Sequence, residues 1–227
     1  MVHTPRTLPP PPQLVKHSKK WTARFQAALT AGPQSDWATV HAKRVLRTAL
    51  RELAHGKCVY CESALEVTAY LEIEHYVAKT VTPALAFEWT NLLPGCRLCN
   101  NAKSEQDHKG VLLKPDAEDP EPYFWIHPDT GKLEPHPKLD EAQSHRANET
   151  IRLCDLQRPA LCTQRAAMLM RVVRWLSNAE VAGAEWEELS SPELEYKFVL
   201  RHVLETRGQH ELAEFDRVRF TGAHARN

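Results

Sequence analysis

No stretch of this chain stays apolar for 18 residues, so the sequence predicts no membrane-spanning helix. The first segment, MVHTPRTLPPPPQL, also lacks the apolar run of a secretory signal. Six cysteines without such a signal are typical of a reducing compartment, where close-spaced pairs bind metal more often than they form disulfides. We therefore expect a cytoplasmic protein.

The chain also lacks net charge, which is formally 0, so nothing draws the whole molecule toward polyanions. Its charges are unevenly placed, because residues 1–57 carry ten Lys and Arg against two acids. This basic front half is either a surface for nucleic acid or a solvated helix face. The candidate phosphate contacts on its second helix are Lys43, Arg44, Arg47 and Arg51.

The spacing of apolar residues predicts a mainly α protein, α+β overall, with no internal repeat. The Pro-rich arm of residues 1–14 is expected to be extended, either as a free tail or as an arm lying on the protein or a partner. The pair Gly32-Pro33 should end a first helix over 16–29, and Ser35 or Asp36 should cap a second over 37–54.

The second half of the chain has helical spacing after a loop-rich stretch. A hairpin is expected around Asp129-Thr130-Gly131, and Ser191 should cap the third of four helices. Those helices are predicted at 141–153, 158–181, 191–206 and 210–217. The chain thus divides into the arm with basic helices (1–56), a metal-bearing centre (57–110), a loop-rich connector (111–140) and a helical C-terminal region (141–227).

The strongest local signal is a pair of Cys-x-x-Cys motifs, CVYC and CRLC. Four thiolates at this spacing close tetrahedrally on one zinc ion, and such a saturated site is structural rather than catalytic. A folded segment must lie between the two motifs. The expected zinc ligands are Cys58, Cys61, Cys96 and Cys99. Cys154 and Cys162 have no close Cys or His partner and are expected to be buried thiols.

The segment LEIEHYVAK between the motifs places Glu74 next to His75 at the end of a predicted strand. Phosphodiester hydrolysis needs a divalent cation and a base that activates water. Glu74 and Asn100 offer the oxygen ligands that Mg²⁺ or Mn²⁺ prefers, and His75 suits a general base. Asn91 could hold the imidazole by accepting a hydrogen bond from it, and Lys103 could meet phosphate. Glu72 is expected to be structural or solvated.

From Cys58 to Lys103 the order is Cys-x-x-Cys, Glu-His, Asn-Leu, then Cys-x-x-Cys-Asn-x-x-Lys. This order resembles the HNH nucleases, whose small ββα-metal core is often stabilised by a four-cysteine zinc site. The resemblance implies a metal-dependent endonuclease, with Glu74 and Asn100 as ligands of the catalytic cation. It also implies that His75 is the base and that Asn91 orients it.

Three positions depart from the HNH pattern. Glu74 stands where Asp is commoner, and Ala78 stands where the family often has Pro after the base. Ser104 occupies the place of a third metal ligand in some relatives. These departures predict a longer ligand arm, a looser turn after His75 and weaker metal binding.

Other segments carry a looser likeness: the Pro-rich opening, WTARF, EDPEPYF and RANETIRLCDLQRPAL. Together they are similar to the PtuB-type HNH proteins of the Septu anti-phage systems and their retron-linked relatives. That likeness implies a role in antiviral defence beside a PtuA-like ATPase of the ABC/SMC type, with DNA or RNA, including tRNA, as substrate.

Two other hypotheses remain open. The chain could be a non-catalytic zinc module that binds nucleic acid or a partner protein through its basic front half. The helical C-terminal region could dock on the partner through its amphipathic helices, with core packing as the alternative for those helices.

Overall fold

The computed structural model describes residues 1–30, 38–65, 70–105, 108, 110–177 and 182–222. These residues form eight α-helices and two short antiparallel sheets, which confirms the mainly α, α+β prediction. None of the helices in these ranges combines the length and apolarity needed to cross a membrane. The helices are α1 (Pro12–Thr30), α2 (Val40–Leu53), α3 (Arg97–Lys103), α4 (Glu141–Leu153), α5 (Pro159–Ser177), α6 (Ala182–Leu189), α7 (Lys197–Thr206) and α8 (His210–Gly222). The strands are β1 (Leu71–His75), β2 (Leu92–Cys96), β3 (Phe124–Ile126) and β4 (Leu133–Pro135).

The centre of the molecule is a ββα unit, by which we mean β1, β2 and α3. β1 pairs antiparallel with β2, so that Leu71 lies opposite Cys96 and His75 lies opposite Leu92. α3 begins at once, because Cys96 ends β2 and its sulfur accepts a hydrogen bond from the Cys99 amide at 3.4 Å. The strand predicted to end at His75 is therefore present as β1, while β2 and α3 together contain the second Cys-x-x-Cys motif.

The Pro-rich arm lies on the body of the protein. The Thr4 amide donates to the Pro115 carbonyl at 2.8 Å, and the Arg6 guanidinium bonds Asp116 at 2.5 Å. The same guanidinium lies 4.9 Å from the ring centroid of Trp89. The extended conformation stops earlier than predicted, because α1 begins at Pro12, where proline suits the first helical turn.

Two apolar clusters flank the ββα unit. The first joins α1 and α2 to the sheet and contains Phe25, Leu46, Leu50, Ile73 and Leu92. The second lies toward the cysteines and helices α4, α5 and α7, and it takes Leu93 from the same strand. Successive strand residues face opposite sides, so β2 contributes to both clusters. The unit is thereby held between the basic N-terminal helices and the C-terminal helices.

Several helix boundaries differ from those expected. α2 begins at Val40 because the Thr39 hydroxyl accepts a hydrogen bond from the Ala42 amide at 3.1 Å. The expected caps Ser35 and Asp36 and the breaker pair at 32–33 lie outside the described residues. The hairpin at 129–131 is confirmed by the pairing of β3 with β4, and α4 has the predicted bounds.

The prediction that Ser191 caps a helix is wrong. Its hydroxyl bonds Glu193 in a turn at 2.5 Å, and α7 starts only at Lys197, after α6, which was not predicted. Tyr196 has φ 55°, a left-handed conformation that interrupts a right-handed helix. The fully buried Lys197 then pairs with Asp216 of α8, so tertiary packing sets where α7 begins.

Candidate functional site

The four predicted zinc ligands converge on one point. Their sulfur atoms all lie within 4.8 Å of one another, and all four residues are buried. The sulfurs of Cys61 and Cys96 are 3.8 Å apart. A tetrahedral site with zinc–sulfur bonds of roughly 2.3 Å has sulfur–sulfur edges of roughly 3.8 Å. The cluster therefore fits a structural zinc ion, which ties the loop after α2 to the end of β2.

Arg158, which the sequence analysis did not single out, lies against this cluster. Two of its guanidinium nitrogens are 3.5 Å from the Cys99 sulfur, and one is 3.9 Å from that of Cys96. Burial opposes its charge, yet the sulfurs of Cys99 and Cys61 raise the pKa of Arg158 above its ordinary value. A zinc ion with four thiolates carries a net negative charge, so this guanidinium offsets it. Cys154 and Cys162 are buried free thiols, as predicted.

Glu74 lies at the end of β1 with its carboxylate enclosed by the protein. Only 1% of the residue is exposed, and Oε1 accepts hydrogen bonds from Lys103 Nζ at 3.0 Å and the Tyr60 hydroxyl at 3.3 Å. Burial raises the pKa of Glu74 to about 7, although Lys103 and Tyr60 act in the opposite direction. The carboxylate is thus near the balance between its neutral and ionised forms.

Lys103 is placed differently from the phosphate contact that the sequence suggested. It is 1% exposed, and Nζ also donates to the carbonyls of His75 at 3.0 Å and Tyr76 at 3.4 Å. Its ammonium is therefore bound inside the ββα unit. It connects the end of α3 to the end of β1.

His75 is 6% exposed, and its Nε2 lies 3.0 Å from the Ala86 carbonyl oxygen. A carbonyl only accepts, so Nε2 carries the ring proton and Nδ1 carries the lone pair. Burial lowers the pKa of His75 to about 3, which keeps the imidazole neutral near pH 7. A neutral ring with a lone pair is the form that a general base requires.

Asn91 acts on the backbone that follows His75. Its Oδ1 accepts from the Val77 amide at 2.8 Å, while Nδ2 donates to the carbonyls of Val77 at 2.9 Å and Leu85 at 3.1 Å. We predicted a direct hydrogen bond from the ring to this amide. The amide instead fixes the turn after His75, which leads to Ala78.

Asn100 and Glu72 form a pair that the sequence analysis missed. Asn100 Nδ2 donates to Glu72 Oε2 at 2.6 Å, so Glu72 has the structural role, which was one of the two expected for it. Gly95 lies opposite Glu72 in the register. A Cβ at Gly95 would come within 3.1 Å of the Glu74 Cβ and 3.9 Å of the Asn100 Cβ, so the absent side chain lets these residues approach.

Glu74, His75 and Asn100 line one cavity of about 300 Å³, which we call the Glu74–His75 cavity. Lys79, Lys103, Ser104 and Glu105 complete much of its wall, and the Lys79 ammonium bonds the Glu105 carboxylate at 3.1 Å. The donor set fits a hard divalent cation, since it offers a carboxylate and an amide oxygen. Gly95 supports that fit, because the absence of a side chain there lets Glu74 and Asn100 approach each other.

The basic residues of α2 lie on the face turned away from the sheet. Arg44, Arg47 and Arg51 are exposed, and Lys43 is half-buried. On the opposite face Leu46 and Leu50 pack on the ββα unit. The charged side of α2 therefore lies at the surface.

Fold and site together define a mainly α protein built around a ββα unit with a four-cysteine cluster that fits a structural zinc ion. The chain is similar to two curated proteins named Septu protein PtuB. That from Bacillus thuringiensis is 37% identical over 97 residues, which are 42% of this chain and 38% of the relative. That from Bacillus mycoides (strain KBAB4) is 29% identical over 152 residues, and the match covers 53% of this chain and 50% of the relative.

This similarity confirms the likeness to PtuB-type proteins that was expected from the sequence. The chain spans half or less of the length of these relatives. No protein-family profile matches it.

Proposed function

We propose that this protein is a metal-dependent endonuclease of the HNH type, which hydrolyses phosphodiester bonds in nucleic acid. The observation that carries the proposal is the meeting of Glu74, His75 and Asn100 in one cavity of the ββα unit. Glu74 and Asn100 are the two proposed oxygen ligands, and His75 is the proposed base. Glu74 and His75 come from the end of β1, and Asn100 comes from α3. The four-cysteine cluster braces the same elements from the other end of β2.

In this proposal His75 is the general base. Its Nδ1 lone pair takes a proton from the attacking water, and the Ala86 carbonyl holds the ring by accepting from Nε2–H. Asn91 is a positioning residue, because its amide fixes the Val77 backbone immediately beyond the base. The anionic phosphate of a bound substrate would raise the low pKa of His75 toward a useful range.

Glu74 and Asn100 would hold the catalytic Mg²⁺ or Mn²⁺. Such a cation supplies positive charge where negative charge builds on the phosphate and the leaving oxygen. Zinc at the four cysteines would have no open position and would keep its structural role. The basic face of α2, with Arg44, Arg47 and Arg51, is the candidate surface for phosphate contacts.

We further propose a role in Septu anti-phage defence with a partner ATPase of the ABC/SMC type. Support comes from the similarity to two proteins named Septu protein PtuB and from the resemblance noted in the sequence. The helices of the C-terminal region are candidates for docking on that partner. A truncation near residue 140 that still co-purified with the ATPase would remove them from that role.

The proposal is tested by incubating zinc-loaded protein, with and without the ATPase encoded beside it, with plasmid, single-stranded DNA and total tRNA. We expect cleavage of at least one substrate that depends on added Mg²⁺ or Mn²⁺. Binding without cleavage under every condition would contradict the nuclease and favour the non-catalytic zinc module. In that case charge reversal at Arg44, Arg47 and Arg51 should weaken binding, and salt should do the same.

A further inference from the structure

The wall of the Glu74–His75 cavity contains a cation that belongs to the chain itself. The Lys103 ammonium contacts three oxygens, namely Glu74 Oε1 and the carbonyls of His75 and Tyr76. Both Lys103 and Glu74 are 1% exposed, so little water screens the attraction between them. This ammonium is bound to the carboxylate that a catalytic cation would need.

We propose that Lys103 is an internal competitor for the cation site, which sets how tightly the site binds a divalent metal. The inference rests on the proposed function, since it concerns the same cavity, but it makes a separate claim about binding. Lys103 is a positioning residue in this account, because it acts on Glu74 rather than on the reacting atoms.

Charge balance supports the competition. When Glu74 is ionised, its charge and that of Lys103 cancel, so a divalent cation bound beside this pair adds two positive charges that the pair does not compensate. Glu105 does not compensate them directly, because its carboxylate bonds the Lys79 ammonium. Glu72 is the nearest further acid on the same strand, and it is bonded to Asn100. The phosphate of a bound substrate would supply negative charge, so metal and nucleic acid should bind more tightly together than separately.

The decisive variant is Lys103→Met, which keeps the length and apolar stem of the side chain but removes its charge. We expect the affinity for Mn²⁺, measured without nucleic acid by electron paramagnetic resonance on zinc-loaded protein, to rise at least about tenfold. A purely structural lysine would give the opposite result, since its loss would loosen Glu74 and weaken binding.

Two matched variants isolate the cause. Lys103→Arg keeps the positive charge beside Glu74 and should therefore show no such rise in Mn²⁺ affinity. Lys79→Met removes a positive charge from the same wall, but Lys79 is paired with the exposed Glu105, so solvent should keep its effect on Mn²⁺ affinity to about twofold. Near-ultraviolet circular dichroism and zinc content identify any variant whose fold has changed.

If Lys103→Met fails to fold, the same test is made on the parent protein. There, Mn²⁺ should bind more tightly when a nucleic acid is present, with tRNA and plasmid as the two probes. An unchanged or lower Mn²⁺ affinity in a folded Lys103→Met variant would overturn the inference. If that variant does not fold, the inference is overturned when the parent protein binds Mn²⁺ equally tightly with and without each nucleic acid. A rise in affinity with no cleavage of any substrate would keep the inference and overturn the nuclease.

Discussion

The four-cysteine cluster and the Glu74–His75 cavity lie at opposite ends of the same short sheet, and each places a positive charge differently. At the cysteine cluster, the Arg158 guanidinium lies 3.5 Å from a sulfur and offsets the negative charge of the ligands. In the Glu74–His75 cavity, the Lys103 ammonium is bound to the proposed ligand Glu74, 3.0 Å from Oε1. An outer cation stabilises a bound metal, whereas a cation on the ligand competes with it. The first arrangement suits a permanent ion and the second an exchangeable one.

The cysteine cluster should dominate stability. Replacing Cys99 with Ser removes one of four ligands from a fully buried site, and structural zinc contributes about 10 kcal/mol or more to the folding of small zinc domains. We expect loss of zinc and of cooperative thermal unfolding in the Cys99→Ser protein.

The control for that variant is Cys162→Ser. Its thiol is also buried, but it bonds the Gln157 carbonyl at 3.4 Å, and a serine hydroxyl retains that donor. It should keep its full zinc content. Equal stability of the two serine variants would show that the four sulfurs do not hold a structural ion.

Removal of the outer cation should have a smaller effect. Arg158→Met leaves the four sulfurs in place but removes the charge beside Cys99, so zinc affinity should fall about 10- to 100-fold. Competition with a chromogenic chelator measures that change. Arg152→Met is the control, because Arg152 is exposed and pairs with Glu149 on the surface. Identical zinc release from the two variants would leave Arg158 without a role at the metal.

A pH titration separates the second site from the first. The folded pKa of Glu74, about 7, is above its ordinary value of 4.5, so folding favours the protonated form. The stability that this group contributes is therefore full below about pH 4.5 and is lost as the pH rises through 7. Relative to Glu74→Gln, the parent protein should lose about 1–3 kcal/mol of unfolding free energy between pH 5 and pH 8.

Urea unfolding without added Mg²⁺ or Mn²⁺ measures this difference in unfolding free energy. Both proteins contain the same four cysteines, so the pH dependence of the cysteine cluster cancels when they are compared. Glu105→Gln, which alters an acid of the same cavity that is paired with Lys79, should show no such trend. If the parent protein instead gains stability over this range relative to Glu74→Gln, folding favours the ionised form of Glu74, which contradicts the raised pKa.

The comparison also explains what could be predicted from the sequence. The zinc cluster was predictable because each Cys-x-x-Cys motif fixes two ligands locally, and the strand with its Glu-His end was predictable from alternation. The link between Glu72 and Asn100 was not, because it depends on Gly95 bringing β1 close to α3 across the sheet. The same holds for Lys103, whose spacing on a short helix gives no sign that its ammonium turns inward.

Contacts between residues apart in the sequence also explain the predictions that were wrong or missing. Ser191 followed by proline and glutamate fits a helix start, yet the helix begins at Lys197, where a buried ammonium pairs with Asp216 far along the chain. Arg158 stands in a segment that was noticed for its resemblance to known proteins, but only its distance to Cys99 reveals its charge-balancing position. Local patterns predicted most of the elements, whereas contacts between residues apart in the sequence set where α7 begins and where Arg158 lies.

The central claim is that His75 is the base of a metal-dependent nuclease, and the most direct measurement is single-turnover cleavage by His75→Ala. The parent protein and His41→Ala, which alters an exposed histidine of α2, serve as references under identical metal and partner conditions. We predict that His75→Ala loses at least about 100-fold in cleavage rate while it keeps its zinc and its thermal unfolding transition. Cleavage by this variant at the parent rate would contradict the account.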